Sequence, residues 1–437
     1  MKIPNRIAQT LINSLKGGVV PRVGLPYITV GRKAEIEALL HDVDMIAEGG
    51  ASFRFIVGKY GSGKSFLLQT IRNYVMAKNF VVVDADLSPE RRLQGTRGQG
   101  LATYKELIRN MSTKTRPEGG ALSLILDRWI SSVQQEVINT SGLSITDPAL
   151  APLVEKKISG VIFSLNEMVH GFDFARLLTL YYRAYLQGDD ETKAKVLKWF
   201  RGEYNTKSEA KQELGVNLVI TDDDWYEYLK LFASFLKQAG YAGILVLIDE
   251  LVNIYKIPNA ITRQYNYEKI LTMYNDAMQG KAQHLGFILC GTPQCMEDPR
   301  RGAYSYEALR SRLAEGHFSK EHKDLLSPVI RLQPLSYEEM LILVEKLADI
   351  HAGLYGYRQI VTDQDMTDFI SIEFGRIGAD IHITPREVIR DFIEVLDIVY
   401  QNPRVKVSEL LGSKEFSFAQ NAVKEEATDA QFAEFEL

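Results

Sequence analysis

The chain has 437 residues, 46% of them hydrophobic and 24% charged, which is the balance of a soluble globular protein with room for two or three domains. A net charge of −5 excludes a global electrostatic footprint for nucleic acid and leaves only a local basic surface open. The two cysteines, Cys290 and Cys295, are too few for a zinc site or a disulfide framework, so a reducing cytoplasm is the expected location. The opening Met-Lys-Ile-Pro-Asn-Arg lacks the apolar stretch of a secretory signal, and no apolar run is long enough to cross a bilayer, so no membrane partner is expected.

Ile3, Ile7, Leu11 and Leu15 recur four apart, which predicts an amphipathic helix over 3–16 ended by Gly17-Gly18. Tyr27–Ile36 then leads through Val30-Gly31-Arg32 into a helix reaching about Ala47; on its own terms this is a loop and a helix with an ion-paired Arg32. Phe53–Val57 is an apolar strand, and it runs into Gly58-Lys59-Tyr60-Gly61-Ser62-Gly63-Lys64-Ser65, which fits the pattern G-x-x-x-x-G-K-[ST]. Glycines at 58, 61 and 63 free the backbone so that amide N–H groups can converge on phosphate oxygens at the positive end of the next helix. Lys64 is suited to reach the β- and γ-phosphates of ATP, and the Ser65 hydroxyl to hold Mg2+. Phe66, Leu67, Ile71 and Val75 form the apolar stripe of that helix, and 58–66 together are the candidate nucleotide contacts.

Phe80–Asp86 is a second strand, apolar enough for a parallel sheet covered on both faces. From about Leu87 to Gly215 the pattern is helical, with helices expected at 101–111, 122–137, 153–169, 174–186 and 192–201. Arg91, Arg92 and Arg97 near its start suit a phosphate, a nucleic-acid backbone or an acidic neighbour, or are solvated charges. A helix over 222–239 opens on Asp222-Asp223-Asp224, which the helix dipole favours better than a metal would.

Gly243–Asp249 is a buried strand whose end places two carboxylates together. Asp249 is the candidate Mg2+ ligand and Glu250 the candidate general base for an attacking water. A helix at 265–278 follows, then a fourth strand at 284–291 with Thr292 just beyond it, a turn residue by preference before Pro293. A helix at 306–313 ends in Arg310 and Arg312, and a short fifth strand occupies 328–332. Helices are then expected at 337–352, 363–374 and 385–401, the last capped by Thr384 with Pro385 in its first turn. The acidic end from about Ser413, with scattered phenylalanines, reads as a flexible or partner-docking tail.

This order of elements resembles an AAA+ ATPase of the origin-recognition and STAND side, and Val30-Gly31-Arg32-x-x-Glu35-Ile36 resembles that group's segment over the adenine. More narrowly, Asp84–Leu93, Ala102–Leu107 and Thr115–Ala121 resemble BrxD-type ATP-binding proteins of bacterial BREX phage-defence systems, with similarity from about residue 3 to 400. The resemblance implies an α/β fold: a P-loop AAA+ core with a parallel five-stranded sheet, a large helical insertion and a C-terminal helical lid. The expected divisions are 1–86 and 216–333 for the core, 87–215 for the insertion, 334–405 for the lid and 406–437 for the tail. It implies Thr292 as a sensor beside the γ-phosphate, Arg386 pointing back at the nucleotide, and Arg312, or else Arg310, as a finger to the next subunit. It implies a cytoplasmic, Mg2+-dependent ATPase that forms a homo-oligomer, with DNA and a helicase or other defence-system protein as candidate partners. The alternative is a nucleotide-dependent scaffold with slow turnover; a small-molecule kinase fits less well, since it needs no Asp-Glu pair, sensor strand or lid.

Overall fold

The computed structural model describes residues 3–165, 167–314, 316, 324–375 and 384–413. In chain order its elements are α1 (Asn5–Lys16), α2 (Leu25–Ile28), α3 (Lys33–Ala47), β1 (Ala51–Val57), α4 (Lys64–Ala77), β2 (Val81–Asp86), α5 (Gln99–Arg109), α6 (Leu122–Ser141), α7 (Leu150–Leu165), α8 (Gly171–Gln187), α9 (Asp190–Phe200) and α10 (Lys207–Leu214). There follow α11 (Trp225–Gln238), β3 (Ile244–Asp249), α12 (Val252–Tyr255), α13 (Ala260–Met278), β4 (Leu285–Gly291), α14 (Pro293–Glu297), α15 (Glu307–Leu313), β5 (Val329–Arg331), α16 (Tyr337–Tyr355), α17 (Asp363–Gly375), α18 (Pro385–Gln401) and α19 (Val407–Leu411). They form two compact units.

The larger unit holds residues 34–59 and 67–332 and is built on an all-parallel sheet of order β2-β3-β4-β1-β5. Alternation along each strand sorts its side chains to two faces. Ile56, Val82, Leu245, Leu247, Ile288 and Ile330 pack against α3 and α4 on one face. Phe53, Phe55, Val83, Val246, Ile248 and Phe287 belong to the opposite core, which is continuous with α5–α11, α13 and α15. The helices between 87 and 215 therefore share one apolar core with the sheet.

The two faces record the path of the chain. The connection from β1 to β2 runs over the α4 face, past β4 and β3. Every connection in the other sense, including that from β4 to β5, runs over the opposite face. Both senses keep the right-handed crossover that a twisted parallel sheet demands. The adjacent strands β1 and β4 thus send their chains to opposite faces, which makes their carboxyl ends the topological switch point of the sheet.

The smaller unit gathers three stretches, which among the described residues are 3–33, 60–66 and 333–375 with 384–413. Leu11, Ile12 and Leu15 of α1 share a core with Leu343, Val344 and Leu347 of α16 and Phe392 and Leu396 of α18. Ser336 and Glu339 form a capping box at the start of α16, and Thr384 and Glu387 form another at α18 with Pro385 inside its first turn.

Some expectations shift. Asp222 does not serve its own helix: α11 begins at Trp225, and the Asp222 carboxylate instead accepts the N–H groups of Gly98 and Leu101, 2.7 Å each, at the start of α5. α7 ends at Leu165, short of the expected 169. α10 was not expected; Thr206 caps it by accepting the Glu209 N–H, and Gly215 ends it in the left-handed region. Of the acidic tail, 414–437 lie outside the described residues, while 407–411 form α19. Among the described residues, no helix is long and apolar enough to cross a membrane.

Candidate functional site

In the larger unit the candidate residues collect where the strands exit. Val57 pairs with Gly291, and the Gly58 N–H extends that ladder to the Gly291 carbonyl at 3.1 Å. Thr292 therefore leaves β4 beside Gly58. Ile248 pairs with Leu289, so Asp249 and Glu250 leave β3 on the other side of β4. Parallel strands lie about 4.8 Å apart, so the β1 and β3 exits are separated by roughly 10 Å with Thr292 between them.

Asp249 is buried and Glu250 half-buried. Glu250 sits at φ 61°, a left-handed conformation uncommon for a residue with a Cβ and one that strain tolerates mainly at functional positions. Its N–H donates to Asp249 Oδ1 at 2.7 Å, and its carbonyl accepts the Asn253 N–H at 3.0 Å. Asn253 Nδ2 also donates to the Leu87 carbonyl at 2.8 Å, tying the exit of β2 to that of β3. Thr292 caps α14, its hydroxyl accepting the Cys295 N–H at 3.4 Å.

One carboxylate escaped the sequence reading. Asp86 ends β2 in register with Asp249. Its carboxyl is pushed up to about 6 by lost hydration and by the charges of Asp249, Asp84 and Glu250, with Arg91 opposing. Solvent still reaches this side chain, so the crowding of like charges is what distinguishes the edge. The Asp-Ala-Asp ending of the strand was the available signal. Arg91 Nε donates to the backbone carbonyl of Asp86 at 2.9 Å, whereas Arg97 is exposed. Among the described residues, no three His, Cys, Asp or Glu side chains form a ready metal cage. Mg2+ does not require one, because it is held by one or two protein oxygens together with phosphates and water.

The smaller unit contains the tip of the glycine loop. Gly61 and Gly63 have φ of 75° and 91°; Gly58 is not among the positive-φ residues, so only two of the three glycines are needed for their backbone freedom. A Cβ at Gly61 would stand 2.8 Å from the Thr384 side chain. The Arg386 guanidinium lies over the exposed Tyr60 ring at 5.4 Å, a cation–π contact. Phe66 packs against the core of the C-terminal helices. Lys64 and Ser65 are the first residues of α4. The Ser62 hydroxyl is buried and has no hydrogen-bond partner among the described residues. A buried donor of this kind, in a turn of left-handed glycines at a helix start, fits an anionic oxygen ligand.

Arg312 is exposed near the end of α15 in the larger unit. Its guanidinium donates to Asn275 Oδ1 at 3.1 Å and to the Ala308 carbonyl at 2.7 Å.

No curated protein matches the chain. Residues 3–415 match the family described as BREX system ATP-binding protein BrxC/D, and the chain belongs to that family.

Proposed function

We propose that the protein is a Mg2+-dependent ATPase of the AAA+ P-loop kind, acting in a phage-defence system of the BREX type. One observation carries the reading. At a single edge of a parallel sheet, flanking the point where the crossovers diverge, three neighbouring exits bear a glycine loop, a threonine and an Asp-Glu pair.

The loop residues 58–66 bind phosphate through their amides, with Lys64 as the mobile cation. Ser65 and Asp249 are the proposed Mg2+ ligands, and the Ser62 hydroxyl is a further donor to the ligand's oxygens. Bound Mg2+ and ATP supply the electrophilic phosphoryl group and neutralise charge on it. Glu250 takes the proton of the attacking water, and its bonds to Asp249 and Asn253 fix its backbone for that task. Thr292 and Arg386 are proposed to contact the nucleotide, and Arg312 to serve a neighbouring subunit. In the proposed division, residues 1–86 and 216–333 make the core, 87–215 an insertion, 334–405 a lid and 406–437 a tail. The protein is proposed to be a cytoplasmic homo-oligomer that couples nucleotide state to assembly on DNA with a helicase or other defence-system protein.

The test is phosphate release from ATP by the purified protein, with Mg2+ and with a chelator, with and without DNA. Mg2+-dependent release is expected; protein that binds no nucleotide refutes the reading.

A further inference from the structure

The smaller unit is assembled from three separate stretches of chain, and one side chain joins all three. Arg32 lies at the end of the first stretch and is 6% exposed. Its Nη2 donates to the carbonyl of Ser62 in the second, at 3.2 Å, and to the carbonyl of Gln333, the first residue of the third, at 2.9 Å. Both acceptors are main-chain carbonyls.

Gly31, at φ 68°, sets this geometry. A Cβ there would stand 2.6 Å from the Glu339 carboxylate and would be strained at this φ, so glycine suits the turn that carries Arg32 past the start of α16. The bond to Ser62 acts on the backbone. A peptide is planar, so a carbonyl held to one side fixes the N–H of the following residue on the other. The Ser62 carbonyl shares its peptide with the Gly63 N–H. A Cβ at Gly63 would meet nothing within 4 Å, so close packing at that Cα does not hold the peptide. Holding the Ser62 carbonyl on a buried guanidinium therefore orients a loop amide before any ligand arrives. A guanidinium suits this task, since its planar fork offers several fixed donors and keeps its charge when buried.

We propose that Arg32 is a positioning residue for phosphate binding: it fixes the Ser62–Gly63 peptide and links the loop to Gln333, where the chain enters the C-terminal helices. This rests on the loop binding ATP. Two consequences follow. Loss of Arg32 weakens phosphate binding without touching a phosphate-contacting side chain. Occupancy of the loop also slows hydrogen exchange around residues 333–336, and Arg32 carries that effect.

The experiment compares wild type, Arg32→Lys, Arg32→Met and Lys64→Ala by ATP calorimetry well below each melting temperature, and by hydrogen exchange at 330–340 with and without ATP. Arg32→Met should bind ATP on the order of 10- to 100-fold more weakly, the loss of charge-assisted bonds. Arg32→Lys, which keeps a donor and the charge but not the fork, should fall between, and both should lose the ATP-dependent protection. A merely structural arginine would lower the melting temperature and leave the affinity of the folded variants unchanged, which overturns the proposal. If Arg32→Met does not fold, Arg32→Lys decides alone: wild-type affinity with wild-type protection refutes it. If the wild type itself binds no ATP, the underlying reading and this inference both fail. If Lys64→Ala loses ATP while the Arg32 variants keep it, only this inference fails.

Discussion

Two residues decide whether the chemistry is assigned correctly. Lys64 opens α4 directly after the left-handed Gly63, and no other residue of the loop pairs a flexible ammonium with that position. Lys64→Ala is expected to abolish tight ATP binding in calorimetry while circular dichroism stays unchanged; undiminished affinity would remove the loop from the site. Glu250→Gln preserves the shape of the side chain but cannot accept a proton. It should bind ATP like wild type and lose at least 10²-fold in phosphate release, the lower range for a general base. The left-handed backbone at Glu250 sharpens this test, because the strain belongs to the main chain and survives the substitution. The placement of both residues at strand exits was legible in the sequence, since an apolar strand precedes each motif. Asn253 and Ser62 were not, because what matters in them is which backbone group they meet or fail to meet.

At the scale of elements, the pattern located five strands and most helices, and missed what holds the connections. The loop after β2 hangs on Asn266 of α13, whose Oδ1 accepts the N–H groups of Leu93 and Gln94 at 2.9 and 3.0 Å across about 170 residues of chain. Arg72 of α4 pairs with Asp84 and donates to Ser112 Oγ and the Pro117 carbonyl, so the stretch that looked most particular to the family, 84–121, is tied to the helix of the phosphate loop. Asp222 serves α5 in the same remote way, and Asp222→Ala should destabilise the protein by about 1–2 kcal/mol in urea unfolding, the range for a lost helix cap. The α1, α16 and α18 trio gives a pH prediction. His351 is buried between Tyr357 and Asp397, and Lys16 of α1 bonds the other oxygen of that carboxylate. Burial holds the imidazole below its usual pKa, and the Asp397 contact only partly offsets this. The unfolded chain therefore takes up this proton first as pH falls, so stability present above about 6.5 is lost as pH drops below it. His351→Gln should flatten the melting temperature between pH 7 and pH 5.5; a slope unchanged from wild type would mean that His351 does not titrate differently on folding.

For the whole molecule, amphipathic spacing tells which face of a helix is buried and not what buries it, so the sequence could not show that α1 joins the helices more than 300 residues away. The same limit applies to contacts with other copies of the chain, where Arg312 is the informative residue. It lies at the exposed end of α15, and its guanidinium bonds to an amide oxygen and a carbonyl, both neutral. No carboxylate pairs with it among the described residues, so the charge is held in place without being neutralised. An arginine supplied to a neighbour's phosphoryl group stabilises charge that grows in the transition state, worth about 10³–10⁵ in rate in well-studied cases. If Arg312 acts this way, Arg312→Ala should bind ATP normally and hydrolyse it poorly. Lys64→Ala should fail for the opposite reason. Mixing the two variants should restore activity, because some sites in a mixed oligomer join an intact loop from one copy to an intact arginine from the next. Recovery should scale with the fraction of mixed assemblies seen by native mass spectrometry. Mixed assemblies that form and hydrolyse no more ATP than either parent would place Arg312 outside the reaction, and Arg310→Ala would then take its place in the same experiment.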